Sequence, residues 1–286
     1  MFPFNLLNPT LPPIHLFTYQ GIPFRISRAW NIFILVIGLF GALQFGWTGF
    51  LLSVAAIILI YFFVGVHEYG HAITAKYMDV HCDHITLYPM SGVASIDIRH
   101  DNPRKEWWVT LNGPLTNVVW CLIFWTITSM ISYAPDLANS FIGLVILFCL
   151  RVNLMLLIFN LIPVHPMDGG RLFRSGIQLL WGVPPMKAAK ITMVVSIITA
   201  CIGSIIAFQL GYTIVAFMLP MAALMGWYEY QRTMQRGQHQ VAMDRHGADN
   251  QRPTIAGGDE HQAQRELSNR TNNALDAVEA LLKRRR

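Results

Sequence analysis

Long stretches without a single charged side chain constrain this sequence more than any other feature. No Asp, Glu, Lys or Arg occurs from Asn31 to Val66, from Trp107 to Pro135, or from Ile191 to Tyr228. A membrane helix needs about 20 largely apolar residues, whereas a buried helix of a soluble protein has no reason to stay uncharged for so long. Charged residues make up only 13% of the chain, against about 25% in soluble domains. The sequence therefore predicts a polytopic membrane protein.

The uncharged runs divide into about six transmembrane helices. The first run is too long for one span and breaks near 46–48, and the last breaks near 209–212. We therefore expect an all-α polytopic membrane protein that carries a small membrane-associated β-hairpin. The predicted helices are 30–46, 49–77, 107–133, 138–162, 187–208 and 212–230.

Basic residues are concentrated in every second segment between these helices. Lys and Arg precede the first helix and follow the second, fourth and sixth, whereas the other three turns contain neither. Because cytoplasmic loops are enriched in Lys and Arg, this bias predicts that both termini are cytoplasmic. The net charge of +5 is thereby explained by topology. No nucleic-acid partner is expected, because no basic patch is interleaved with aromatic residues.

The segments outside the helices predict three regions. Residues 1–29 are rich in Pro and aromatic side chains and form a membrane-surface segment, with a short candidate strand at 22–27. The six-helix domain follows over 30–230. From 231 to 286 few large apolar residues occur before Leu275, which is typical of a flexible cytoplasmic tail. A short amphipathic helix at its end would either touch anionic lipid or remain solvated.

The predicted hairpin lies between the second and third helices. Two β-rich runs, 84–88 and 93–98, flank a turn that contains Pro and Gly, which favours a hairpin over 84–98. It is either an ordinary surface hairpin or a place where an extended substrate adds as a strand.

The segment HEYGH at 67–71 carries the chemistry. His67 and His71 are separated by one helical turn, so that both imidazoles can reach one metal ion on the same face. Glu68 lies beside that position and can take a proton from a water molecule. Ionisable groups at the end of an apolar span are costly and usually functional.

A catalytic zinc site typically has three protein ligands, so that a further ligand is needed. The segment NLIPVHPMDGG at 160–170 closes the fourth helix on the same side of the membrane as HEYGH. Its prolines break the helix, and its paired glycines allow close backbone approach. From the residues alone, His165 remains a rival to Asp168. The wider set of candidates is His15, His81, His84, His100, His165 and Asp168.

Three motifs together resemble the site-2 protease family of intramembrane zinc metalloproteases. They are HEYGH, then NGPLTN at 112–117, then NLIPVHPMDGG. The resemblance covers about residues 20–175, and because no loop holds a soluble domain of PDZ size, a compact member is expected. The resemblance implies one zinc ion per chain, bound by His67, His71 and Asp168, with Glu68 as general base. It also implies a role for Asn160, which could hydrogen-bond the oxyanion or the substrate backbone.

The resemblance implies hydrolysis of peptide bonds within or next to transmembrane segments of membrane-bound substrates. Two other functions remain open from the sequence, namely an inactive homologue that binds membrane helices and a metal transporter. The expected partners are a transmembrane protein substrate and the lipid bilayer of a bacterial or archaeal plasma membrane. The sequence names neither the substrate nor the oligomeric state, and it assigns no role to Arg151.

Overall fold

The computed structural model describes residues 12–89, 91–98, 102–213, 215–228 and 230–231. The predicted tail beyond Gln231, the first eleven residues and His100 lie outside these ranges. In chain order the elements are β1 (Ile14–Tyr19), β2 (Ile22–Ile26), α1 (Ala29–Tyr77), β3 (Cys82–Tyr88), β4 (Ser91–Ile96), α2 (Pro103–Ile131), α3 (Pro135–Ala138), α4 (Phe141–Leu161), α5 (Asp168–Trp181), α6 (Pro185–Gln209) and α7 (Val215–Tyr228).

Helix α1 consists of two halves. Phe45 and Gly46 leave helical geometry, and Gly46 has a φ of 65°, which favours glycine. The chain reverses there, so that the ring of Trp30 near the start of α1 lies 4.3 Å from the ring of Tyr61 in its second half. The predicted break near residue 46 is therefore confirmed.

The long helices confirm the predicted fold class. By length and composition, four described helices can cross a membrane, namely α1, α2, α4 and α6, and α7 is a shorter apolar helix. Because α1 contains two halves, six apolar helical segments result. Local signals start two of them: Asn102 caps α2 by accepting from the Lys105 backbone N–H, and Ser140 caps α4 in the same way from Gly143.

The predicted hairpin is present as β3 and β4, and it belongs to a larger sheet. The strand order is β1-β2-β3-β4, with β2 and β3 parallel and the other pairs antiparallel. Buried Phe24, Ile85 and Leu87 of the sheet form one core with Trp30 and Tyr61 of α1. The sheet therefore packs on the helix that carries HEYGH. Strand β1 was not predicted, because all six of its residues are exposed and show no buried alternation.

Helix α5 was also not predicted. Its first turn contains Gly169 and Gly170, which are poor helix formers. Both are needed because a side chain at either position would overlap backbone. A β-carbon on Gly169 would meet the carbonyls of Leu161 and Ile162, and one on Gly170 would lie 2.8 Å from the His165 nitrogen. Close packing thus overrides helix propensity here.

Candidate metal centre

The two histidines of HEYGH lie near the end of α1 and are buried. His67 and His71 are 4% and 3% exposed, and their Nε2 atoms are 3.2 Å apart. This separation follows from their spacing of one helical turn. Both rings therefore direct their Nε2 atoms toward one point.

Asp168 joins them from the first turn of α5. Its Oδ2 atom lies 3.0 Å from His67 Nε2 and 3.1 Å from His71 Nε2, and the residue is 6% exposed. The N-terminus of a helix favours a negative charge, so that its position on α5 stabilises the carboxylate. In the described part of the chain, these three residues are the group that could hold a metal ion.

The other ring nitrogens fix which atoms can bind a metal. His67 Nδ1 lies 2.6 Å from Asn117 Oδ1, and His71 Nδ1 lies 2.8 Å from the carbonyl oxygen of Val109. Oxygens of this kind only accept, so that each Nδ1 must carry the proton. In the neutral rings both Nε2 atoms then present lone pairs toward Asp168.

Three electron-rich atoms that converge in this way are stabilised by positive charge between them. Protons on both Nε2 atoms would create two imidazolium cations whose N–H groups face each other across 3.2 Å. Such a buried pair of like charges is costly. A divalent cation supplies the charge without this repulsion, and tetrahedral zinc places its ligand atoms about 3.3 Å apart. The two imidazoles and the carboxylate therefore fit zinc.

Gly113 of α2 lies directly against the two imidazoles. A β-carbon there would overlap the His71 ring and lie 2.9 Å from His67 Nε2. The helices also cross closely at Gly70, where a β-carbon would lie 2.7 Å from the Asn112 carbonyl oxygen. The close approach of α2 is what brings the Val109 carbonyl and Asn117 to the histidines.

A charged network lies on the other side of Asp168. Glu106 of α2 is 1% exposed and forms an ion pair with Arg174 of α5. Arg171 lies 4.0 Å from both Glu106 Oε1 and Asp168 Oδ1. The Asp168 carboxylate thus faces the two imidazoles through Oδ2 and the Arg171 guanidinium through Oδ1.

Strand β4 covers Glu68. The backbone N–H of Ala94 donates to Glu68 Oε2 over 2.9 Å. A β-carbon on Gly92 would lie 2.5 Å from the Glu68 Cγ atom, so that only glycine fits between the strand and this side chain. The sequence did not predict this contact between the hairpin and HEYGH.

The remaining predicted residues are not members of the group of three. Asn160 is half-buried near the end of α4, and none of the described residues has a hydrogen bond to its side chain. The backbone N–H of His165 donates to Ser196 Oγ on α6, and its side chain is not part of the group. Exposed His15 contacts Thr18.

The sequence HCDH at 81–84 does not form a second metal group within the described residues. His81 pairs with Asp83 over 2.8 Å at the exposed surface. Burial and the charge of Asp83 raise the pKa of the Cys82 thiol to about 11. Because the thiolate is the form that binds metals, this cysteine is a poor ligand at neutral pH.

Comparison with known proteins gives a family. The model of peptidase family M50 matches residues 55–141 and 127–203. The chain is 32% identical over 188 residues to the zinc metalloprotease MJ0392 of Methanocaldococcus jannaschii, which covers 62% of this chain and 49% of that protein. It is 25% identical over 189 residues to stage IV sporulation protein FB of Bacillus subtilis, covering 65% of this chain and 60% of that protein.

Among solved structures, the site-2 protease from Methanocaldococcus jannaschii matches with a TM-score of 0.49 and 24% identity, over 75% of this chain and 95% of that chain. The chain spans less than two thirds of the length of the two curated relatives above. The family model, by contrast, covers just over half of the chain. The predicted resemblance is therefore confirmed, and this chain belongs to peptidase family M50, that of the site-2 proteases.

Proposed function

We propose that this protein is an intramembrane zinc metalloprotease that hydrolyses peptide bonds within or next to transmembrane segments of membrane-bound substrates. One observation carries the proposal: two buried imidazole nitrogens and a carboxylate oxygen converge at the end of an apolar helix, with Glu68 in the same turn. The apolar helices and the family make the chain an integral membrane protein in a lipid environment. Site-2 proteases that act in regulated intramembrane proteolysis are the specific type that we propose.

The predicted zinc cofactor is confirmed by the family, by the zinc metalloprotease relative and by the group of three residues. We propose that His67, His71 and Asp168 hold one zinc ion per chain, which leaves one coordination position open. Bound there, zinc would polarise a carbonyl group and make water more acidic.

Glu68 is the proposed general base. Its carboxylate accepts a proton from the attacking water and delivers that proton to the nitrogen of the leaving amine. Its place between the two histidines supports this role, because the side chain is close to the centre without belonging to the group of three. Release from the Ala94 N–H would leave both carboxylate oxygens available.

Asn160 is proposed to bind the substrate at the reacting carbonyl. Its side-chain amide would donate a hydrogen bond to the developing oxyanion or hold the substrate backbone. Two observations support this role: the residue lies in the last turn of α4, the helix that leads to Asp168, and it is half-buried with no hydrogen bond from a described residue to its amide.

The substrate is proposed to bind as an extended strand beside β4. Peptide bonds in a helix are hidden in backbone hydrogen bonds, so that a membrane helix must unwind locally before cleavage. β4 is an edge strand of the described sheet, and the Ala94 N–H at this edge donates to Glu68. A strand added here would place its backbone next to the base.

A proline substitution tests the strand proposal. Ala94→Pro removes an edge N–H and should slow cleavage while zinc content is unchanged. Ala94→Gly keeps the N–H and should behave like the wild type. Equal turnover by the two variants would leave β4 as an ordinary surface strand.

The orientation of the chain, with both termini in the cytoplasm of a bacterial or archaeal cell, is also a proposal. The basic residues of alternate loops support it. Single cysteines at 134–137 should react with an impermeant reagent from outside the cell, whereas cysteines at 102–105 should not. The opposite labelling pattern would show that the chain has the reverse orientation in the membrane.

The decisive experiment for the function is Glu68→Gln in purified protein with a model transmembrane substrate. The amide keeps the size of the side chain and removes the base, so that zinc content should be unchanged and turnover should fall by about 10²- to 10⁴-fold. A chelator should abolish the wild-type reaction. A Glu68→Gln variant with wild-type turnover would refute the mechanism.

A further inference from the structure

A line of buried amide side chains leads away from His67 into the helix bundle. Asn117 of α2 and Asn153 of α4 are each 0% exposed. Asn117 Oδ1 lies 2.6 Å from His67 Nδ1, and Asn117 Nδ2 lies 3.1 Å from Asn153 Oδ1. Asn153 Nδ2 in turn donates to the backbone carbonyl of Cys149 over 3.0 Å. No motif in the sequence indicated Asn153.

The backbone carbonyl at the far end determines the direction of every hydrogen bond in this line. A carbonyl oxygen only accepts, so that Asn153 must turn its amino group toward Cys149 and its oxygen toward Asn117. Asn117 must then donate with its own amino group, which leaves its oxygen facing His67. The His67 Nδ1 atom therefore carries the proton, and the Nε2 lone pair faces the metal position.

We propose that Asn153 and Asn117 are positioning residues that hold His67 in the ring orientation and tautomer required to bind the metal. This inference rests on the proposed function, because it takes His67 as a ligand. Partners of a metal-bound histidine generally fix its tautomer, and their removal costs about 10- to 100-fold in affinity. Asn153 belongs to α4, so that a helix without any member of the three-residue group helps to orient His67.

The buried environment explains why amides serve this purpose. A carboxylate next to His67 would also orient the ring, but an additional charge inside the bundle would be costly to bury. The two neutral amides hydrogen-bond to each other. The Asn117 oxygen then remains for His67, and the Asn153 amino group remains for the Cys149 carbonyl. His71 needs no such line, because the Val109 backbone carbonyl contacts it directly.

Isosteric variants of the full chain test the proposal. Asn117→Leu should weaken zinc binding by about 10- to 100-fold, and Asn153→Leu by about 10-fold, because Asn117 remains but is free to rotate. Asn153→Asp is the matched rescue. Burial favours the uncharged carboxyl group, whose O–H can donate to Cys149 and whose carbonyl can accept from Asn117. This variant should keep most of the zinc affinity.

The measurements are zinc affinity by chelator competition and the proton resonances of the imidazole N–H groups. The His67 Nδ1–H signal should shift or vanish in Asn153→Leu and persist in Asn153→Asp. The His71 Nδ1–H signal is the internal control and should not change in either variant. A purely structural defect would alter both signals.

Unchanged zinc affinity together with an unchanged His67 signal in Asn153→Leu would overturn the proposal. Loss of both histidine signals would also count against it, because that result indicates collapse of the whole site. Wild-type protein that binds no zinc would refute the proposed metal centre instead, while the N–H signals would still decide the orientation of His67.

Discussion

The two sides of the candidate metal centre are built from different interactions. On the histidine side, His67 and His71 are held by uncharged partners inside the bundle, the Asn117 amide and the Val109 carbonyl. On the other side, Asp168 lies on the amphipathic helix α5, next to a network of ionised groups. That network is Glu106, Arg171 and Arg174.

The difference follows from where charge can be accommodated. The histidines belong to an apolar helix long enough to cross a membrane, where ionised side chains are costly and neutral hydrogen bonds are sufficient. Asp168 begins a helix that is not among the candidate spans, and the Arg171 side chain beside it is 30% exposed. Charges there can pair with one another and with water. The centre thus joins a neutral side and an ionic side.

The largest effect is expected from loss of the ionic ligand. Asp168→Ala removes the only carboxylate of the three-residue group, so that zinc affinity should fall by more than about 100-fold, beyond the loss typical of outer residues. His165→Ala is the control and should retain zinc. The measurement is zinc content of the purified variants. Zinc loss in the His165 variant alone would reassign the third ligand.

The second largest effect is expected from Gly113→Ala, which adds a methyl group between α1 and α2 on the neutral side. In Gly113→Ala the new carbon would overlap His71, so that α2 must move away from both histidines. Overpacking of this kind costs about 1–3 kcal/mol, which corresponds to roughly a 5- to 150-fold loss of zinc affinity when the strain falls on the site. Gly176→Ala on α5 is the control, since its nearest neighbour is 3.8 Å away. Equal zinc affinity of the two variants would contradict the observed helix crossing.

A smaller effect is expected on the ionic side from Glu106→Gln. This change leaves two arginines without their buried counter-charge near a cation site, so that zinc affinity should fall by roughly 10-fold or less. Salt screens interactions between partly exposed charges, and the deficit should therefore shrink as ionic strength rises. The deficit of Asn117→Leu should not depend on salt. A similar salt response in both variants would remove the distinction between the two sides.

The smallest effect is expected from truncation. Both sides of the centre lie before residue 231, so that a chain ending at Gln235 should bind zinc and cleave a model substrate at the wild-type rate. Zinc content and turnover of the truncated protein test this prediction. A folded but inactive truncated protein would show that the predicted division between domain and tail is wrong.

The sequence predicted the helices better than the sheet. The break at residue 46 and the long apolar segments could be read from local composition, because a membrane span is a local property of about 20 residues. Strand β1 has no buried face, and β2 pairs in parallel with β3, about 60 residues further along. Pairing over such a distance leaves little local signal. The two glycines in the first turn of α5 have low helix propensity, so that the sequence did not predict this helix. Close tertiary packing nevertheless requires glycine there.

For the site, the sequence by itself determined that His67, Glu68 and His71 share one turn of an apolar helix, because that relation depends only on helical periodicity. The choice of Asp168 over His165 needed the family resemblance. Only the tertiary structure brought Asp168 within 3.1 Å of both histidines, 97 residues after the second of them. It also decided the contact of Ala94 with Glu68 and the amide line behind His67. Contacts between separate helices and strands depend on how the elements pack, and no single segment encodes that packing.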